Sequence, residues 1–148
     1  MATSNEGPAT ILVADDNPIL LQGLDRALSA SGYAVETACD GAEVLEFLAR
    51  SPSLPDLLLL DVMMPKLSGL EVLQHLQADA RWSGVPVVLV TAATDETLPA
   101  RALEGGAVDV LIKPFRLNEL LGRIDSHVRR SRAAEQVGIG AECDPESH

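Results

Sequence analysis

The segment Leu57-Leu58-Leu59-Leu60-Asp61-Val62-Met63-Met64-Pro65 constrains this chain more than any other. Four consecutive leucines lead into one carboxylate, and Pro55 and Pro65 bound the run. A strand with one wet face alternates apolar and polar residues, whereas a strand covered on both faces is apolar throughout. The run therefore predicts a central strand of a parallel sheet, with its one ionisable residue held for the last position. In open parallel α/β sheets ligands bind outside the carboxyl ends of the strands. Asp61 is then either a reactive or metal-binding group or a cap of the next turn, and this segment alone does not separate the two.

The remaining chain repeats the arrangement. Thr10-Ile11-Leu12-Val13-Ala14 is a short apolar strand that runs into Asp15-Asp16. Asn17-Pro18 then starts a helix, with Asn or Asp as cap and Pro in the first turn. Leu20, Leu21, Leu24, Ala27 and Leu28 recur at helical spacing, and Gly32 supplies the stop. A strand is predicted over 34–38 and a helix over 42–50. After the leucine strand come the loop 66–69 and a helix carrying Leu70, Val72, Leu73 and Leu76. Residues 79–84 read as a polar linker in which Trp82 packs at a surface edge. Val85 to Val90 is a fourth apolar strand, ending in Thr91-Ala92-Ala93. The following helix starts near Leu98, because Pro99 is tolerated only in a first turn. Residues 108–112 form the fifth strand, followed by Lys113-Pro114-Phe115. A long last helix begins near Asn118, carries Leu117, Leu121, Ile124 and Val128 on its inner face, and runs toward Gln136. The tail from Gly138 reads as loose.

Five strands alternating with five helices imply right-handed βαβ units and a parallel sheet. At 148 residues the economical arrangement is a single doubly wound α/β domain of order 2-1-3-4-5, flavodoxin-like, with an elongated last helix. The expected division is a flexible N-terminus (1–9), a domain (10–130), and a helix extension with tail (131–148). Only 3% of residues are aromatic against 47% hydrophobic, so Leu, Val, Ile and Ala must build the core. A net charge of −11 argues against direct nucleic-acid binding, which needs clustered Lys and Arg. Cys39 and Cys143 lack any metal-site spacing. No apolar run approaches the roughly 20 residues needed to span a bilayer, and the first eight residues do not resemble a signal peptide. A reducing cytoplasm without membrane insertion is the expectation.

In the 2-1-3-4-5 order the strand ends come together. Strand one brings Asp15 and Asp16, strand three Asp61, strand four Thr91 and strand five Lys113. Three adjacent carboxylates repel and raise one another's pKa values, so they call for a cation. Hard oxygen ligands in a partly open cleft suit Mg²⁺. With Lys113 and Thr91 opposite, a phosphoryl group could have its oxygens neutralised and hydrogen-bonded. Asp61 is the candidate nucleophile, since a carboxylate attacks phosphorus without a general base.

Asp15-Asp16, the leucine strand into Asp61 with Met64-Pro65 and Gly69, Thr91-Ala92, and Lys113-Pro114-Phe115 together resemble the receiver domain of two-component response regulators, over about residues 9–130. The resemblance implies a phosphorelay switch rather than a turnover enzyme. Asp61 would take a phosphoryl group from the phosphohistidine of a partner histidine kinase or phosphotransfer protein. Asp16 and Asp61 would ligate Mg²⁺ directly, Asp15 through water, and the Met63 carbonyl would complete the protein ligands, with Mn²⁺ able to substitute. Lys113 would pair with the phosphoryl oxygens, and the Lys113-Pro114 bond would be cis.

Two departures from the family pattern bear on output. Val110 stands where receivers commonly carry Tyr or Phe, so the usual coupling of threonine to an inward-turning ring is missing. The expectation is an output surface that is modified, or carried by the last helix. Met63 and Ala93, two residues after Asp61 and Thr91, cannot hold an attacking water, which predicts a long-lived aspartyl phosphate. The last helix carries Arg129, Arg130 and Arg132, either as a solvated end suited to the helix dipole or as part of a homodimer-forming signalling helix.

Two other functions on related folds are disfavoured. An FMN carrier needs a Ser/Thr/Gly phosphate loop where Asp15-Asp16-Asn17-Pro18 stands. A haloacid-dehalogenase-type phosphatase needs a second Asp where Met63 stands. The sequence leaves open whether the domain is a single-domain regulator or one cut from a hybrid kinase or larger regulator.

Overall fold

The computed structural model describes residues 7–92, 94 and 96–142, with side chains as far as Ala133. Strands β1 (Thr10–Ala14), β2 (Ala34–Ala38), β3 (Leu57–Asp61), β4 (Val87–Ala92) and β5 (Asp109–Lys113) form one sheet. Every pairing is parallel and the order is β2-β1-β3-β4-β5. Helices α1 (Pro18–Ala30), α2 (Gly41–Arg50), α3 (Gly69–Ala78), α4 (Leu98–Glu104) and α5 (Leu117–Glu142) connect and cover the strands. This is the doubly wound, flavodoxin-like arrangement that the alternation of elements predicts.

The leucine run is covered on both faces, with each side chain at most 1% exposed. Leu57 and Leu59 belong to a core shared with Leu24 and Leu28 of α1 and Leu120, Ile124 and Val128 of α5. Leu58 and Leu60 point the other way, into a core with Val44 and Leu48 of α2, Val72, Leu73 and Leu76 of α3, and Leu98 and Ala102 of α4. The twofold alternation of a strand thus feeds two separate cores. Fully burying one such leucine contributes about 2 kcal/mol, so β3 is the hydrophobic centre of both layers.

Local signals set the helix starts. The Asn17 side chain accepts from the amides of Ile19 and Leu20 at 3.0 and 3.3 Å, which caps α1. Asp40 accepts from the Glu43 amide at 2.8 Å while Glu43 accepts from the Cys39 amide at 2.8 Å. Ser68 and Glu71 form a reciprocal capping box on α3. α4 has no side-chain cap and carries Pro99 in its first turn, the one place where a missing amide costs little.

Several details differ from the sequence reading. β4 starts at Val87, two residues later than predicted, with the Pro86 carbonyl accepting from the Leu58 amide at 2.9 Å. β5 is shifted by one and includes Lys113. Trp82 is not at a surface edge but 8% exposed within the α2–α3–α4 core, and the Arg81 guanidinium stacks 4.5 Å from its ring centroid. Its amide and carbonyl close consecutive turns with Asp79 and Val85, which fold the ring back under the sheet. On α5 the stripe predicted through Leu117 and Leu121 is rotated. Leu117 is 48% exposed and Leu120 takes the core position, because that register continues to Ile124 and Val128 at intervals of four. The α5 backbone is helical to Glu142, past Gly138 where a loose tail is predicted; residues 1–6 and 143–148 lie outside the described residues. Among the described residues no helix is long and apolar enough to cross a membrane.

Candidate functional site

Register brings the polar strand ends to one edge. Ala14 pairs with Leu60, Asp61 with Val90, Thr91 with Ile112, and Ala92 with Lys113. Asp15, one residue beyond β1, therefore faces Asp61 at the end of β3. Carboxylate oxygens of Asp15, Asp16 and Asp61 all lie within 4.8 Å of one another. Asp15 and Asp61 are buried, at 3% and 5% exposure, while Asp16 is exposed at the mouth.

Each buried carboxylate is held by the backbone of its own turn. Asp61 Oδ1 accepts from the Met63 amide at 2.9 Å, and Asp15 Oδ1 accepts from the Asn17 amide at 2.8 Å. These are Asx turns, in which an aspartate side chain bonds the amide two residues on. The Asn17 and Met63 amides are roles beyond the cap expected of Asn17 and the carbonyl and side-chain roles expected of Met63; a strand-terminal Asp followed by a turn is the signal for them. The other oxygen of Asp61 accepts from Lys113 Nζ at 2.7 Å, and the same ammonium stands 3.9 Å from Asp15 Oδ2. The Lys113-Pro114 bond is cis.

Charge is unevenly satisfied across the cluster. Burial pushes the Asp15 carboxyl up to about 6; the Asn17 amide opposes this, and the neighbouring Asp61 adds to it. For Lys113, burial lowers the ammonium's pKa, but hydrogen bonding and attraction to Asp61, Asp15 and Asp16 outweigh it, so the net shift is upward. Lys113 is therefore a permanent cation serving two carboxylates. Among the described residues Lys113 pairs directly with Asp61 and Asp15, while Asp16 feels it only at longer range, and the clustered ligand atoms of the three acids are hard oxygens. That set suits a small divalent cation such as Mg²⁺ and offers nothing to a softer metal. A second acid-rich group, Cys39, Asp40 and Glu43, is accounted for by the cap of α2.

Four of the predicted site residues thus come together directly: Asp15, Asp16, Asp61 and Lys113. Thr91 is buried on the adjacent strand end, but its hydroxyl donates to the Ala92 carbonyl at 3.1 Å rather than to the acidic cluster. The Met63 side chain is 72% exposed beside the cluster. Val110 is half-buried, packed against the same core as its strand partner Leu89. Thr91 follows Leu89 by two residues and so faces that same side of the sheet. Ala93 lies outside the described residues.

Residues 11–125 match the family model of the response regulator receiver domain. The chain is 44% identical over 132 residues to "Response regulator MprA" of Mycobacterium leprae, covering 87% of this chain and 56% of that protein. It is 40% identical over 134 residues to the protein of the same name from Mycolicibacterium vanbaalenii, covering 90% and 56%. The chain thus spans little more than half the length of the curated relatives it matches. Among solved structures, a putative response regulator from Chloroflexus aurantiacus superposes with a TM-score of 0.76 at 30% identity, covering 82% of this chain and 98% of that one. The receiver domain of a signal transduction histidine kinase from Syntrophus aciditrophicus gives 0.72 at 32% identity, covering 85% and 91%.

Proposed function

Because the chain belongs to the receiver-domain family of two-component response regulators, we propose that Asp61 accepts a phosphoryl group from the phosphohistidine of a partner histidine kinase or phosphotransfer protein. The observation that carries this reading is the 2.7 Å pair between Asp61 Oδ2 and Lys113 Nζ beside two further carboxylates at neighbouring strand ends. An oxygen of Asp61 attacks phosphorus, and the P–N bond breaks with its electron pair leaving on the imidazole nitrogen. No proton has to be removed, because the attacking group is already an anion.

The chain's own groups are arranged for that transfer. The Met63 amide holds Asp61 in one rotamer throughout. Lys113 passes from the carboxylate to a phosphoryl oxygen as charge moves outward, so the same cation serves before and after. The Thr91 hydroxyl, now on the Ala92 carbonyl, rotates to donate to another phosphoryl oxygen. Asp15, Asp16, Asp61 and the Met63 carbonyl would hold Mg²⁺, or Mn²⁺ in its place. When bound, the ion neutralises the clustered carboxylates and the transferring oxygens. The exposed Met63 thioether gives an attacking water no strong hydrogen bond, so the aspartyl phosphate is long-lived. Signal leaves through α5 or through a partner surface other than a flipped ring, since Val110 cannot supply one; a homodimer through α5 is one such output.

The test is phosphorylation of the purified chain by acetyl phosphate with MgCl₂, followed by intact mass. One phosphoryl group is expected on the wild type, none on Asp61→Asn, and none when EDTA replaces the metal. Equal labelling of Asp61→Asn would overturn the assignment.

A further inference from the structure

The three arginines near the end of α5 do three different jobs. Arg129 pairs with Asp125 one turn back, at 3.1 Å. Arg130 is exposed and lines a cavity of about 280 Å³ with His127, Ser131 and Val108. Arg132 turns inward. It stands at the next four-residue step after Leu120, Ile124 and Val128, where α5 passes off the apolar core and reaches the base of the sheet.

There its guanidinium joins three segments. Nη1 donates to the Gly7 carbonyl at 3.0 Å, and Nη2 stands 3.5 Å from Asp56 Oδ2. Asp56 is itself clamped to β1: its amide donates to the Thr10 carbonyl at 2.8 Å, and Oδ2 accepts from the Thr10 amide at 2.8 Å. Both side chains of the ion pair are about four-fifths covered, at 21% and 19% exposure. An exposed ion pair contributes little. This one ties a helix to a carboxylate whose position the backbone already fixes, so only the arginine side chain has to be ordered to form it. Asp56 also directly precedes β3, the strand whose far end is Asp61.

We propose that Arg132 and Asp56 form a latch that fixes the direction in which α5 leaves the domain. Beyond Arg132 the helix continues ten residues to Glu142, about 15 Å at the usual rise per residue. With the latch open, the last anchor is Val128, one turn earlier, and the free arm gains roughly 6 Å. The arginine fork matters because it meets a carbonyl and a carboxylate at once, which an ammonium cannot do in the same plane. The latch lies at the opposite end of β3 from Asp61, so it governs the geometry of output and not phosphoryl acceptance.

Amide hydrogen exchange on unphosphorylated protein tests this without depending on the phosphorylation assay. In Arg132→Met, peptides covering residues 129–142 are expected to exchange at least tenfold faster, with those of β3 unchanged. Asp56→Asn, which removes the charge that Nη2 meets but keeps an oxygen for the Thr10 amide and leaves the Gly7 bond in place, should give a smaller acceleration over the same peptides, and the double variant no more than Arg132→Met alone. Such overlap is the mark of one shared contact, whereas a change in helix propensity at Arg132 would add to the effect at Asp56. Wild-type exchange in Arg132→Met, or additive effects in the double variant, would overturn the latch. If Arg132→Met loses its fold by circular dichroism, Asp56→Asn alone decides: unchanged exchange over 129–142 rejects the proposal.

Discussion

Asp15 and Asp61 are both aspartates just at or beyond the end of a buried strand, yet they have different partners. Asp61 has the Met63 amide on one oxygen and Lys113 at 2.7 Å on the other. Asp15 has one amide, and the same lysine only at 3.9 Å. Burial therefore dominates at Asp15 and raises its carboxyl from 3.8 to about 6. The sign of the consequence follows from linkage. A folded-state pKa above the unfolded one means that the native protein binds the proton more tightly. Its contribution is favourable at low pH, is lost as pH rises from about 4 through 6, and leaves a net cost at pH 7. In EDTA at pH 7, Asp15→Asn should thus be more stable than wild type by at most about 3 kcal/mol, with the difference vanishing near pH 4. On the proposed Mg²⁺ role, millimolar MgCl₂ should stabilise the wild type, and the same variant should lose that stabilisation. Urea unfolding measures both effects, and equal stabilities at pH 7 would contradict the account.

At the scale of elements, β3 is positioned by what touches its ends as much as by its leucines. The first turn of α3 presses on the loop after Asp61, with the Gly69 amide donating to the Val62 carbonyl at 2.9 Å. A β-carbon at Gly69 would lie 2.7 Å from the Asp61 carbonyl oxygen and 2.9 Å from Val62 Cα, both backbone atoms that cannot move aside cheaply. Gly23 in α1 meets nothing within 4 Å. Substitution by alanine should therefore have opposite effects at the two positions. Gly23→Ala is expected to stabilise by about 0.5–1 kcal/mol through helix propensity. Gly69→Ala should destabilise by roughly 2 kcal/mol through overpacking and slow phosphorylation of the displaced Asp61. Chemical denaturation of the pair reads the contrast, and a neutral Gly69→Ala would show that α3 stands off from the site. The same contact explains why the sequence reading could attach Gly69 to the motif only by resemblance. A close approach between a loop and a helix turn leaves no periodic trace.

Across the whole molecule, the two cores on either side of the sheet are closed by contacts between residues far apart in the chain. Tyr33, just before β2, donates its hydroxyl to Asp125 Oδ1 of α5 at 3.2 Å, across 92 residues of sequence. Burial, then the negative charge of Asp125, pushes the phenol up from 10 to about 12, with Arg129 and Arg132 opposing. The folded state thus holds this proton more tightly than the unfolded state. The stabilisation is complete below pH 10 and is lost as pH rises through 12. Tyr33 is the only tyrosine, so ultraviolet titration reports it alone. A native midpoint near 12 is expected, falling toward 10 in Asp125→Asn and in denaturant. A native midpoint at 10 would show that the bond is absent in solution.

Features that depend on near neighbours in the chain are legible in the order of residues alone. The unbroken leucine run required a doubly covered strand, Asn17-Pro18 marked a helix start, and polar residues at strand ends placed Asp15, Asp16, Asp61, Thr91 and Lys113 at one edge once the strand order was known; the caps supplied by Asp40 and Ser68 emerged only in the structure. Tertiary structure decided whatever depends on distance between segments. Pattern alone could not choose Leu120 over Leu117 and Leu121, since all three lie on the same apolar arc and only the sheet selects the register. Nor could it sink Trp82 into the core, where the loop's turns carry it. It could not send the Thr91 hydroxyl to Ala92, or give Arg132 a partner in Asp56 while Arg129 took Asp125. Burial and Coulomb energies depend on where distant parts of the chain meet in space, and that is set only when the sheet closes.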